Sequence, residues 1–225
     1  MAGLSSRFTK AGYKKPKYML PIGSDSMFQK AVKSFTKQFE LEPFLFICRD
    51  IAGSAAFIQA ELEAMSPTPK NYQIVILEQE TAGQAETVQK GLMRAGVEPD
   101  TPITIFNIDS HRIGFSYPEH LDLEAIDGYL EVFQGEGEHW SFVRPQDSNA
   151  DHGPVLEVTE KIRISNLCST GLYYFRNASL FYALFQDSLQ HPADTLQGRE
   201  RYIAPLYNAA LKRGCDIQYH IIPQK

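Results

Sequence analysis

Between residues 20 and 110 the spacing of apolar side chains switches repeatedly between a helical period and short continuous runs. Phe28, Ala31, Val32, Phe35 and Phe39 recur every three or four residues and predict an amphipathic helix that starts near "GSDS". "PFLFICRD" then reads as a buried strand. "SAAFIQAELEAM" predicts a second helix with Ile58, Leu62 and Met65 on one face, closed by the breaker-rich "SPTPKN". "YQIVIL" is the next strand. "TAGQAETVQKGLMRAG" sets Ala85, Val88, Leu92 and Ala95 along one stripe and ends in Gly96, which suits a C-cap. "ITIFNID" closes the series as a strand. Strands separated by helices need crossover connections, and these place helices on both faces of a parallel sheet. The expected class is therefore α/β, with a Rossmann-like, mostly parallel central sheet flanked by helices.

Past Asp109 the texture changes. Shorter strand-like pieces ("GYLEVF", "WSFVRP", "VLEVTEKI", "STGLYYF") precede helical stretches around 177–189 and 199–212 and a last strand, "IQYHII". This predicts a smaller mixed β region beside the first half. No internal repeat, low-complexity tract or Gly/Ser/Pro-rich linker divides the chain, so 1–225 is read as one domain with halves 1–110 and 111–225.

With 43% hydrophobic and 22% charged residues the chain has enough apolar surface to bury a core. It has no apolar run near the roughly 18 residues of a membrane span and no signal-peptide pattern, so a cytoplasmic location without membrane association is expected. Cys48, Cys168 and Cys215 lack metal-ligand spacing and read as structural thiols. A net charge of −5 argues against a nucleic-acid partner, which would require a broad basic face. Yet the first twenty residues carry Arg7, Lys10, Lys14, Lys15 and Lys17 and not one Asp or Glu. That local charge is sized for a small anion.

The small residues Ala2, Gly3, Ser5 and Ser6 permit close backbone approach to an anion, and Arg7 offers a planar fork suited to phosphate. Lys17, after Pro16, adds a point charge. The spacing matches neither a P-loop nor Gly-x-Gly-x-x-Gly, and a solvated basic loop accounts for it equally well. In "FNIDS", Asp109 stands just past a strand end, where open sheets place ligands and where a carboxylate can hold Mg²⁺; a turn or capping Asp is the alternative. "EKIRISNLCSTGLYYF" puts Glu160 and Lys161 on a strand edge, where a surface ion pair is the plain reading, and then Thr170-Gly171, where backbone could approach a ligand. The six histidines show no His-Glu-x-x-His spacing and there is no Gly-x-Ser-x-Gly elbow, so the linear sequence carries no signature of zinc or a serine hydrolase.

In order, these motifs resemble the sugar-nucleotide pyrophosphorylase (nucleotidyltransferase) family of GT-A-like fold. "AGLSSRFTKAGYKKPKYMLP" is similar to its small-residue loop, Ser/Thr-Arg and Pro-Lys signature, with Ser5 where Gly is usual; "TAGQAETV" resembles its base-binding loop, "FNID" its metal-binding strand end, and "EKIRISNLCSTGLYYF" its sugar-phosphate segment. The resemblance runs from residue 2 to about 210 and lies nearest the branch of bacterial capsule and surface-polysaccharide enzymes. It implies catalytic roles for Arg7 and Lys17, with nucleotide binding by Ala2, Gly3, Leu4, Ser5, Ser6, Glu78, Gln79, Gly83 and Gln84. Asn107, Glu160, Lys161, Thr170 and Gly171 would bind the sugar phosphate, and Asp109 would hold Mg²⁺. It also implies that the family's first strand would lie upstream of Met1 and that a second metal-binding Asp would fall after Lys225.

The implied reaction joins an NTP to a sugar 1-phosphate, or a similar phosphorylated metabolite, giving an NDP-sugar and pyrophosphate. Its partners are those substrates, and homo-oligomerisation stays open. Two other classes stay open as well: a GT-A glycosyltransferase with an NDP-sugar donor, and a non-catalytic nucleotide-binding regulator.

Overall fold

The computed structural model describes residues 1, 12–192 and 200–223. The chain forms two compact units, one of Met1–Thr81, Lys90–Gly96 and Asn107–Tyr117, the other of Ala82–Gln89, Val97–Phe106 and Pro118–Lys225.

In the first unit a small antiparallel hairpin, β1 (Pro21–Ile22) and β2 (Asp25–Ser26), leads into helix α1 (Met27–Lys33). Ser26 caps this helix, its Oγ accepting from the Gln29 amide at 3.1 Å. β3 (Pro43–Cys48) pairs in parallel with β4 (Asn71–Ile76), and α2 (Ser54–Ala64) is the crossover between them. Tyr18, Phe28, Val32, Phe39, Phe46, Cys48, Ile58, Leu62 and Met65 form one buried cluster. The apolar stripes read from the sequence thus meet over this pair of strands, and burying each large side chain contributes about 1.5–3 kcal/mol. Helix α3 (Gln84–Ala95) has its C-terminal half in this unit, where Gly91 leaves no space for a side chain: a Cβ would lie 2.2 Å from Ile47 Cδ1.

The second unit is built on a six-stranded sheet of β5 (Ile103–Phe106), β6 (Gly128–Gln134), β7 (Ser141–Pro145), β8 (His152–Glu160), β9 (Leu167–Phe175) and β10 (Ile217–Ile221), in the order β5-β9-β6-β10-β8-β7. A further pairing of Phe142 with Cys168 joins β7 back to β9, so five of the strands close into a small barrel-like ring. Helices α4 (Ala178–Leu189) and α5 (Leu206–Lys212) precede β10. Tyr207, fully buried, stacks on Phe175 with centroids 4.7 Å apart and donates its hydroxyl to the carbonyls of Tyr129 (3.2 Å) and Tyr174 (2.8 Å). The polar end of this core tyrosine is therefore satisfied by sheet backbone.

The α/β class is as expected, but among the described residues the strands do not show a mostly parallel central sheet. Among the described residues, parallel pairing occurs between β3 and β4 and between β6 and β10, and the mixed sheet is the larger one. A parallel pair needs a crossover of a dozen or more residues, whereas the loops at 146–151 and 161–166 are short, which favours antiparallel neighbours. The helix expected over 199–212 is formed from Leu206 onward. Cys48, Cys168 and Cys215 are free thiols. Among the described residues, no helix is long and apolar enough to cross a membrane.

Candidate active site

In the first unit, Lys17 and Asp109 meet although 92 positions separate them: Lys17 Nζ donates to Asp109 Oδ2. Lys17 opens a short 3₁₀ turn, Lys17–Met19, whose Tyr18 and Met19 are buried in the core and so fix the turn in place. Asp109 lies in the turn that follows β5, closed by a hydrogen bond from the Ser110 amide to the Asn107 carbonyl at 3.1 Å. Both side chains reach solvent, at 29% and 42% exposure, so neither charge is locked away from a substrate. Glu78, proposed for the base edge, is ion-paired to Arg94 at 2.7 Å, and Gln79 is exposed. Arg7 and Ala2, Gly3, Leu4, Ser5 and Ser6 lie outside the described residues.

In the second unit, Gly83 and Gln84 open helix α3 against the backbone of Arg201. The Arg201 amide donates to Ala82 O at 3.0 Å, and Arg201 O accepts from the Ala85 amide at 2.8 Å. Gly83 has φ 141°, and a Cβ there would stand 2.6 Å from Arg201 N. Only glycine fits this position without displacing backbone.

Glu160 is not on an open strand edge. It ends β8 opposite Ser141 and is 6% exposed, and one carboxylate oxygen accepts from Ser141 Oγ, which lies 3.3 Å from the Tyr173 hydroxyl. Lys161 follows with φ 56°, held by its amide to the Trp140 carbonyl at 2.8 Å. Its ammonium lies 3.3 Å from Glu160 Oε1 and donates to Tyr202 Oη at 2.6 Å. Burial works against that charge, but the bonds to Tyr202 and Glu160 outweigh it and raise the lysine pKa. Burial also pushes the Tyr202 phenol up, against the pull of Lys161. Beside this group β9 bulges against β6: Leu130 faces Tyr173 and Val132 faces Ser169, leaving Glu131 opposite Thr170, Gly171 and Leu172. Gly171 takes φ 85° there, and Thr170 Oγ1 donates to the Glu131 carbonyl at 3.3 Å.

The dipeptide Arg201-Tyr202 thus touches both the Gly83 turn and the Glu160-Lys161 pair. Sequence reasoning missed Ser141, Tyr173, Arg201 and Tyr202. A shared strand register reveals Ser141, but nothing in linear spacing marks the other three.

No protein-family model and no curated protein matches the chain. Solved structures do. The nucleoside-diphosphate-sugar pyrophosphorylase from Vibrio cholerae RC9 is 42% identical over 99% of this chain and 90% of its own, with a TM-score of 0.87. The chain belongs to the nucleoside-diphosphate-sugar pyrophosphorylase family. Two more distant structures share the pyrophosphorylase fold. A UDP-glucose pyrophosphorylase in complex with UDP-glucose is 17% identical over 100% of this chain and 89% of its own, with a TM-score of 0.75. An inositol-1-phosphate CTP transferase from T. maritima is 15% identical over 98% and 82%, with a TM-score of 0.71.

Proposed function

We propose that the protein transfers a nucleotidyl group from an NTP to a sugar 1-phosphate or a closely similar phosphorylated metabolite, releasing pyrophosphate. The observation that carries this reading is the contact of Lys17 with Asp109 in a member of the pyrophosphorylase family. It sets a partly exposed point cation beside a carboxylate that follows a strand end.

A phosphate oxygen of the acceptor attacks the α-phosphorus, and the bond from that phosphorus to the oxygen bridging the α- and β-phosphates breaks as pyrophosphate leaves. The nucleophile is already anionic, so no side chain has to remove a proton; the obstacle is crowding negative charge. Lys17 neutralises the α-phosphate and the incoming oxygen. Arg7, with the backbone of Ala2, Gly3, Leu4, Ser5 and Ser6, holds the β- and γ-phosphates.

A single accessible carboxylate supplemented by substrate phosphates is the donor set that Mg²⁺ prefers, and Asp109 fits it. The ion would supply Lewis-acid stabilisation of the transferring phosphates. Gly83 and Gln84 are assigned to the base, and Glu78 or Gln79 are the further candidates for its edge. Asn107, Glu160, Lys161, Thr170 and Gly171 bind the acceptor, with Glu160 taking hydroxyl donors and Lys161 the phosphate. The motif resemblance supports a product destined for surface-polysaccharide assembly.

The test is a panel of the four NTPs against several sugar 1-phosphates and a cyclitol phosphate with Mg²⁺, scored for pyrophosphate. One productive pair supports the proposal, whereas release of NDP from an NDP-sugar donor would make the protein a glycosyltransferase.

A further inference from the structure

Three of the six histidines, far apart in the chain, converge in the second unit. His152 is the first residue of β8 and faces His220 of β10 across an antiparallel pair; His120 joins them from the loop that precedes β6. The His120 and His152 ring centroids are 4.0 Å apart, His120 and His220 5.2 Å, and His152 and His220 6.3 Å. One nitrogen from each lies within 4.8 Å of the other two.

From this we infer that His120, His152 and His220 form a binding site for a Zn²⁺-class transition-metal ion, separate in its donors from the Asp109 site. Imidazole nitrogen suits zinc and the later first-row ions, whereas Mg²⁺ and Ca²⁺ take oxygen, so the trio selects against the ion expected at Asp109. Nitrogens on a tetrahedral zinc at about 2.0–2.1 Å lie roughly 3.4 Å from one another. Rotation of the exposed His120 and His152 rings closes the remaining distance, while His220 is partly buried and supplies the fixed point.

The scaffold around the trio is held by a backbone bond and by the Tyr219 side chain. The Ile221 amide donates to Asp151 O at 2.7 Å, and the hydroxyl of Tyr219 donates to Ala150 O at 2.7 Å and to Asp147 O at 3.2 Å. Two ligands therefore sit on paired strands and one on a turn, and a bound ion ties three chain segments together. His120 and His152 also line a cavity of about 300 Å³, with Asp122, Gln218 and Tyr219 on its walls. Three histidines with a cavity beside them leave the fourth position open to water or a small anion, as in zinc sites with three protein ligands.

The experiment is calorimetric titration of the chelator-treated protein with ZnCl₂ in millimolar Mg²⁺, which fills oxygen-donor sites. The wild type should bind one equivalent with a Kd in the micromolar range or below. His152→Gln and His120→Gln, at exposed positions, should each weaken it by at least about tenfold, since even outer-shell partners of a metal are worth 10–100-fold. Asp109→Asn should keep that equivalent. Co²⁺ in place of Zn²⁺ should give a visible absorption band in the wild type that His152→Gln loses. Absence of saturable Zn²⁺ binding in the wild type, or equal binding in a correctly folded His120→Gln/His152→Gln variant, overturns the inference.

Discussion

The ammonium of Lys17 donates directly to the carboxylate of Asp109. Both groups are partly exposed, and ion pairs of that kind contribute about 0–1 kcal/mol to stability. Opening the pair to admit a metal ion and a triphosphate therefore costs little. Asp109→Asn should leave the urea midpoint almost unchanged, lower kcat by roughly 10²–10³-fold, and raise the Mg²⁺ concentration needed for half-maximal rate. Wild-type Mg²⁺ dependence in this variant would remove Asp109 from the metal site.

Lys17→Ala and Arg7→Ala should each lower kcat by roughly 10²-fold or more, the scale of a lost charge stabiliser. Steady-state pyrophosphate release measures both. A wild-type kcat in either variant excludes the role given to that residue.

Gly83→Ala introduces a Cβ 2.6 Å from the Arg201 backbone at a φ of 141°. The cost expected for such overpacking is about 1–3 kcal/mol. Because the turn opens the helix assigned to the base, the KM for NTP should rise more than the KM for the acceptor. Urea denaturation and two-substrate kinetics check the two halves separately, and equal rises in both KM values would detach Gly83 from the nucleotide.

Lys161 and Tyr202 both hold their protons more tightly in the folded protein, above ordinary values of 10.5 and 10.0. The folded state thus binds more protons than the unfolded one as those values are passed. The stabilisation is complete below about pH 10 and is lost as the pH rises through the raised values. Thermal midpoints should fall as the pH rises above about 10 and passes through the raised values. Tyr202→Phe, which removes the acceptor for Lys161, should reduce that fall and raise the KM for the acceptor several-fold. An unchanged alkaline profile with an unchanged KM would show that Tyr202 does not position Lys161.

Most helices and strands were legible because their apolar spacing records which face meets a core. Phe28 and Val32 mark one such face and are buried, whereas the helix expected to run on to Phe39 ends at Lys33, and Phe39 is buried from beyond a separate 3₁₀ turn, Thr36–Gln38. Pairing was not legible, since apolar runs such as "GYLEVF" and "STGLYYF" suit a parallel or an antiparallel neighbour equally well. In the structure these two strands are antiparallel, with a bulge of β9 opposite Glu131 that no spacing announces. Asp109 could be singled out from its place after a strand, and Lys17 from its charge, but their contact depends on how the loop and the turn fold back. Glu160 read as a surface ion pair with Lys161, because its burial comes from Ser141 and Tyr173 on other strands. The histidine trio was invisible for the same reason: strand register, not sequence distance, sets His152 opposite His220.

In the proposed reaction an acceptor phosphate displaces pyrophosphate from an NTP at the site marked by Lys17 and Asp109. Its most direct test is a time course with the best NTP and acceptor in Mg²⁺, following pyrophosphate and NDP-sugar together. The two should appear in equal amounts, only when both substrates are present, and about 10² times more slowly with Lys17→Ala. Pyrophosphate formed without acceptor, or an NDP-sugar consumed with release of NDP, would contradict it.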